Sequence, residues 1–414
     1  MKRWRYSMLI VCSLGLTACQ AASYTAVVSA GDRTRDHVPV SVELELPTGA
    51  PMNAAAVSAQ GVAQPAQLEH IGRNRARVWW LVRDLEAGQS RSYAINLQPT
   101  ASSGPGDFRW VDSSKAGVKS SDLLHGDRPV LRYMYTPFDA NDIENTKKPF
   151  HHVFDPDGSR PITKGVGGKY SHHRGIFFGY NKCAIDGQIY DTWHGAKGEH
   201  QLHVEEVARV EGPVAGGHTV KIHWRDRDSK PFIEETRRLM VFAQPDGQLL
   251  IDFESTLRPV RGPVSLAGDR QHAGAQFRAA QEVADNEKDT RYLRPAKWSE
   301  LPTDTTFNTP EHKDLPWNAL QYRLGDRAYT VAYLTDPSNP GHAEFSEREY
   351  GRFGEFFPFD VTDERPLHVR YQWWVVATHD IPRERIESQY QQLADPPKIA
   401  LQRAATDLRT SPRP

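Results

Sequence analysis

Cysteine is scarce, with three in 414 residues, and only the start of the chain carries a long apolar run. Cys12 lies inside that run and Cys19 closes it, so Cys183 alone would remain after processing and no intrachain disulfide could form. A lone thiol in an oxidising compartment reads as a packed, buried residue. An excess of one charge is also lacking, since 51 Lys and Arg face 52 Asp and Glu. Without a basic excess there is no electrostatic reason to bind nucleic acid. No apolar stretch beyond the start approaches the roughly 20 residues that a spanning helix needs. Repeats, coiled-coil heptads and extended low-complexity tracts are absent too. What is abundant is proline (29), glycine (30) and aromatic residues (10%), a composition that favours many turns over long helices.

The opening residues read as a lipoprotein signal peptide over residues 1–18. Lys2, Arg3 and Arg5 are followed by an apolar segment from Met8 to Leu16, then Leu16-Thr17-Ala18-Cys19. Basic residues, a short apolar run and small residues at the cut are what a signal peptidase reads. Cys19 is then the lipidation site, and its acyl chains are the membrane attachment. Gln20 in the position after it points to a cell-envelope lipoprotein of the outer membrane, facing periplasm or exterior.

The mature chain reads as mainly β: a small N-terminal β-sandwich followed by a large antiparallel β-sandwich with one C-terminal helix. Residues 24–99 form short alternating segments such as Val38 to Leu46, with the period of two of half-buried strands. The Thr100-to-Gly106 run opens a linker taken to cover 100–124. The large sandwich spans 125–395. Within it Glu235 to Phe242 and Gln248 to Ser255 flank the turn Pro245-Asp246-Gly247 as a hairpin. Leu367, Val369, Tyr371 and Trp373 share one strand face. Pro382 to Leu393 has helical spacing, and 396–414 reads as a polar tail.

Histidines are concentrated in a glycine-rich stretch: His151-His152, His172-His173 and Asp191-Thr192-Trp193-His194. Successive strand residues face opposite sides, so one member of each pair can face a pocket while the other packs. Imidazole can donate, accept or coordinate near neutral pH. His151, His172, His173, Asp191, His194 and His272 are therefore the candidate catalytic residues, and Arg174, Tyr180 and Trp193 the ligand contacts beside them. A second segment, Gly268 to Arg278, would as an extended strand place Arg270, His272, Gln276 and Arg278 on one face, with Gln271 adjacent. A third, Asp336 to His342 followed by Arg348 to Glu355, has the Pro and Gly content of a shaped loop and offers Asn339.

Taken together, the Lys148-to-His152 segment, His172-His173-Arg174-Gly175, Asp191-to-His194, the Asp336-to-Gly354 loop and the final strand and helix resemble the PmoA-like ("methane oxygenase PmoA") family of exported bacterial proteins. The resemblance covers nearly the whole mature chain and brings no established catalytic residues. It does not imply a genuine methane monooxygenase, whose subunit of that name spans the membrane repeatedly. The chain departs from the commoner family pattern in having Gln271 before His272, where an acid is expected.

Three readings follow. The first is a carbohydrate-active enzyme, a hydrolase or lyase, in which the imidazoles move protons, Asp191 orients one of them, and Arg174 or Arg278 holds an anionic oxygen. The second is a surface lipoprotein that binds a carbohydrate or other polyhydroxylated molecule without turning it over. The third is a His-ligated metal enzyme, although neither His-x-His nor His-Glu-x-x-His spacing occurs and no metal ligand or cofactor is assigned. Replacing Cys19 by Ser is expected to abolish acylation and move the protein from the membrane to the soluble fraction, read by labelled-palmitate incorporation and fractionation. Unchanged membrane partition would contradict the leader assignment.

Overall fold

The computed structural model describes residues 23–47, 52–100, 104, 106–269, 271–302 and 312–403. The leader, Cys19 and Arg270 lie outside the described residues. The chain is mainly β, in several antiparallel sheets with a C-terminal helix.

Alternation builds the small N-terminal sandwich. In Val38–Glu45 the side chains run buried and exposed in turn, and the strand pairs in register with Arg75–Val82 from Val38↔Val82 to Glu45↔Arg75. Ala66–Gly72 completes that three-stranded sheet. The facing sheet has the order Lys398–Arg403, Ser23–Ser29, Ser90–Gln98, Ala54–Ala59, Val62–Gln64. Trp80, Tyr93, Val28 and Ile95 fill the space between.

Two expectations need correction here. The segment 100–124 is not a linker throughout: Phe108–Lys115 and Val118–His125 form a hairpin at the edge of a large sheet. Phe108 and Trp110 alternate into the core, and only the Ser- and Gly-rich composition before them suggested a tether. The tail from 396 is not all frayed either. Lys398–Arg403 pairs antiparallel with Ser23–Ser29, so the two ends of the described chain close one sheet.

The larger unit stacks two eight-stranded antiparallel sheets. The first runs Glu344–Arg348, Arg352–Phe356, Ala273–Arg278, Ile176–Tyr180, Phe150–Val153, Arg128–Met134, Val118–His125, Phe108–Lys115. The second contains Pro231–Ala243 and Leu249–Pro259, joined by the Pro245–Gly247 turn, with Leu367–Val376 next to them. Leu367, Val369, Tyr371 and Trp373 point into the core between the sheets, against Phe178, Ala275 and Phe277. On the other face of the same strand, Trp374 and Val376 meet Ile386 and Leu393 of the helix Arg383–Ala394. The helix thus covers the back of the second sheet, and the outer face of the first sheet is left for other work.

His151 belongs to the interior rather than to that outer face. Its Nε2 lies 2.9 Å from Nε2 of His218, and its ring stacks on Tyr133 at 4.6 Å. Burial pushes His151 and His173 well below the usual imidazole range and lowers His218, while His152 and His203 fall to about 4. These groups are neutral in the folded state and charge in the unfolded chain below about pH 6.5, so each contributes stability that is lost as pH falls below that value. Glu355, raised by burial to about 7, acts in the opposite direction over part of the range. The imidazoles outnumber it. Thermal melts between about pH 7.5 and 4.5 are therefore expected to show a falling Tm, and a Tm that holds or rises on acidification would contradict this packing.

Candidate functional site

Two tetrapeptides of the same form, Asp191-Thr192-Trp193-His194 and Asp269-Arg270-Gln271-His272, build the centre of the site. In the first turn, Asp191 Oδ1 accepts the His194 backbone N–H at 2.8 Å while Oδ2 meets the ring Nδ1 at 2.7 Å. In the second, Asp269 Oδ1 accepts the Gln271 backbone N–H at 2.9 Å and meets His272 Nδ1 at 3.0 Å. An Asp side chain that closes such a turn on its own backbone is locally favourable, and here it also fixes a ring. A carboxylate at Nδ1 holds the proton there and leaves Nε2 bare, the tautomer suited to accepting a proton.

The rings of His194 and His272 lie 5.1 Å apart, and that of His172 lies 4.6 Å from His194. All three are partly exposed. Burial would raise Asp269, but its hydrogen bond and charge interaction with His272, together with the Gln271 N–H and Asn181, hold it down to about 2. Asp191 is lowered in the same way, against its burial, mainly by the hydrogen bonds of His194. Burial and then the Lys148 ammonium push His172 down to about 2, so this imidazole is neutral.

Beneath the imidazoles the outer face of the first sheet carries cations. Gly175 has φ +46°, and the His173 ring lies 4.2 Å from that of His172. His173 lies 5.5 Å from Trp193 and stacks on Tyr350 at 6.0 Å. Arg174 donates to the backbone oxygen and carboxylate of Glu144. The Lys148 amine donates to the Trp193 carbonyl and sits over the rings of Phe177 and Trp193 at 5.3 and 5.9 Å. Arg352 also lies over Trp193, at 5.8 Å, and donates to Gln276 Oε1 at 2.8 Å. Arg278 lies over Tyr350 at 5.0 Å. Lys148 also lines a cavity of about 990 Å³, with Met134, Phe150, His152 and the Thr136-to-Thr146 segment. The imidazole cluster therefore borders this cavity through Lys148 rather than lining it. Among the described residues no three His, Cys, Asp or Glu side chains are arranged to hold a metal ion.

Comparison with known proteins adds a family. The family of unknown function DUF6807 matches residues 120–391, about two thirds of the chain. The chain belongs to DUF6807. No curated protein matches it. Among solved structures, it is similar to a glycosyl hydrolase family 38 protein and to an alpha-mannosidase, both from Enterococcus faecalis, at 11% identity over 93% of this chain, with TM-scores of 0.43 and 0.45. It spans about half the length of either, 47% and 46%. A GalM/aldose epimerase homologue from C. elegans aligns in full with 66% of this chain, at 11% identity and a TM-score of 0.29. At these scores the likenesses carry no argument about activity. Nothing in the comparison links the DUF6807 match to PmoA.

Every residue of the imidazole cluster and its cationic floor lies inside the DUF6807 segment. Of the residues singled out in the sequence, His172, His173, Arg174, Asp191, Trp193, His194, His272 and Arg278 come together. Trp193 is fully buried, so it is a support and not a sugar platform. Gln271 is nearly buried and contributes its backbone, and the carboxylate on His272 comes from Asp269. Three residues do not belong. His151 faces the core, because in Phe150–Val153 it is His152 that shares the outer face with Phe150. Tyr180 is buried and donates its hydroxyl to the Phe357 carbonyl at 3.2 Å. Asn339 pins its loop by exchanging hydrogen bonds with the Arg370 backbone at 2.8 and 2.9 Å. The strand Ala273–Arg278 is fully buried in mid-sheet, not a solvated edge. Asp269, Lys148, Tyr350 and Arg352 were missed, although the repeated Asp-x-x-His spacing could have revealed the first. Cys183 is buried and its thiol is pushed up to about 12, which rules it out as a nucleophile at neutral pH.

A Cβ on Gly175 would stand 2.0 Å from the His151 carbonyl oxygen. Gly175→Ala is therefore expected to destabilise the protein by at least about 2 kcal/mol in denaturant titration. A change below about 0.5 kcal/mol would show that this turn does not depend on glycine.

Proposed function

We propose that this DUF6807 protein is an acid–base catalyst acting on a carbohydrate. The supporting observation is the pair of Asp-tied imidazoles, His194 and His272, whose rings are 5.1 Å apart. Each Asp leaves its partner's Nε2 free to accept a proton and steadies the imidazolium that results. One ring can then take a proton from a hydroxyl or a carbon while the other, protonated, returns one to a neighbouring oxygen. His172, neutral beside them, can donate or accept a hydrogen bond from a sugar hydroxyl without adding charge. Tyr170 and Tyr350, 4.9 Å apart at the surface, offer aromatic faces to a polyhydroxylated ring. The leader and Cys19 support a place in the cell envelope for this chemistry.

The experiment is a screen of neutral and acidic mono- and oligosaccharides by NMR in deuterated water, following product formation and solvent-deuterium incorporation. His194→Ala and His272→Ala are each expected to slow turnover by about 10² or more, while affinity changes far less. Binding without turnover of any sugar, unaffected by either substitution, would overturn the enzyme reading and leave a binding module.

A further inference from the structure

Elsewhere among the described residues, buried arginines are paired with acids at two sites. Arg237 donates to Glu235 at 2.7 Å, and Arg294 forms a charged pair with Glu347. Beneath the imidazoles the pattern breaks. Arg278 and Arg352 are direct cross-strand neighbours, both fully buried, and neither hydrogen-bonds a carboxylate. Like charges placed opposite each other across a ladder repel. Arg278 donates only to the carbonyls of Tyr350 and Ala279, leaving its Nε and Nη2 without partners. Lys164 is nearly as buried, and its amine finds three backbone carbonyls at 3.2 to 3.4 Å. Lys148 has the Trp193 carbonyl and two ring faces. A ring face returns to a cation only part of what burial takes from it. Burial pushes the Lys148 amine well below its usual range and Lys164 down to about 8, so the lasting positive charge under the site is that of Arg278 and Arg352. Arg352 donates to the hydroxyls of Tyr350 and Ser346 and to Gln276, while Arg278 keeps two nitrogens without partners.

We propose that the ligand of this site is a sugar acid, a pyranose bearing a carboxylate, whose negative charge answers the buried cross-strand pair Arg278 and Arg352. The proposal rests on the carbohydrate reading above and names its substrate class. Both guanidiniums are fully buried, so they favour a carboxylate above them through their charge rather than through direct hydrogen bonds. A neutral sugar would leave that charge unanswered. Burial above all keeps His172 neutral, so that ring serves in hydrogen bonding rather than as the anion's counter-ion.

The test is titration calorimetry on the full protein with D-glucuronate, D-glucose and sodium sulfate at low and high salt. Glucuronate is expected to bind at least about tenfold more tightly than glucose, with the preference shrinking as salt rises. Arg278→Met and Arg352→Gln are expected to bring the ratio of the two affinities toward one. If either variant fails to fold, the salt dependence of the unaltered protein decides the same point. Equal affinity for glucuronate and glucose would overturn the acid preference while leaving the carbohydrate reading standing. Sulfate binding as tightly as glucuronate would assign the site to a free anion and overturn the proposal. Failure of both sugars to bind would overturn the carbohydrate reading and this proposal together.

Discussion

A guanidinium or ammonium group taken out of water gives up several kcal/mol of hydration, and something in the protein must answer the charge. In the core between the two large sheets the answer is a carboxylate, as with Glu235 under Arg237. On the outer face of the first sheet the answer is a set of aromatic faces, Phe177, Trp193 and Tyr350, which return only part of the loss. That difference leaves positive charge under the site and makes negative charge welcome above the sheet, while burial is what chiefly depresses His172.

Three carboxylates lie close to these cations: Glu144 pairs with Arg174 and Lys147, and the other two are each engaged by an imidazole. Asp191 and Asp269 spend both oxygens on the turn that contains them and on the ring nitrogen three residues later. They orient His194 and His272 and do not reach the buried arginines. The site thus separates two tasks, proton transfer at the rim and charge recognition in the floor. Trp193, held between Lys148 and Arg352 with His173 against it, is the joint between the layers.

Period-two alternation made most of the fold readable, because strands with one face in the core must alternate. Leu367–Val376 shows why: its two faces serve two cores, one with Tyr371 and Trp373 and one with Trp374 and Val376. Lys398–Arg403 was unreadable for the converse reason. It is an edge strand whose side chains are nearly all exposed, so backbone pairing to Ser23–Ser29 holds it without any pattern. At the site, the histidine pairs were legible as pairs, but the sequence does not say which face of Phe150–Val153 is inward, and His151 was taken where His152 lies. Asp269 was hidden by reading Gly268 to Arg278 as one continuous strand. The strand begins only at Ala273, and the preceding residues form a turn. Pairing of charges is a tertiary property, so the missing counter-ions of Arg278 and Arg352 left no trace in composition.

The most direct measurement of the account is the titration of His172, followed through its ring carbon-bound proton by NMR between about pH 8 and 4. Buried, and with Lys148 beside it, His172 is expected to stay neutral throughout, its resonance unmoved. A midpoint near the ordinary value of about 6.5 would mean that the ring is neither desolvated nor set against positive charge, and the account of the site as a packed, cation-lined cluster would fail.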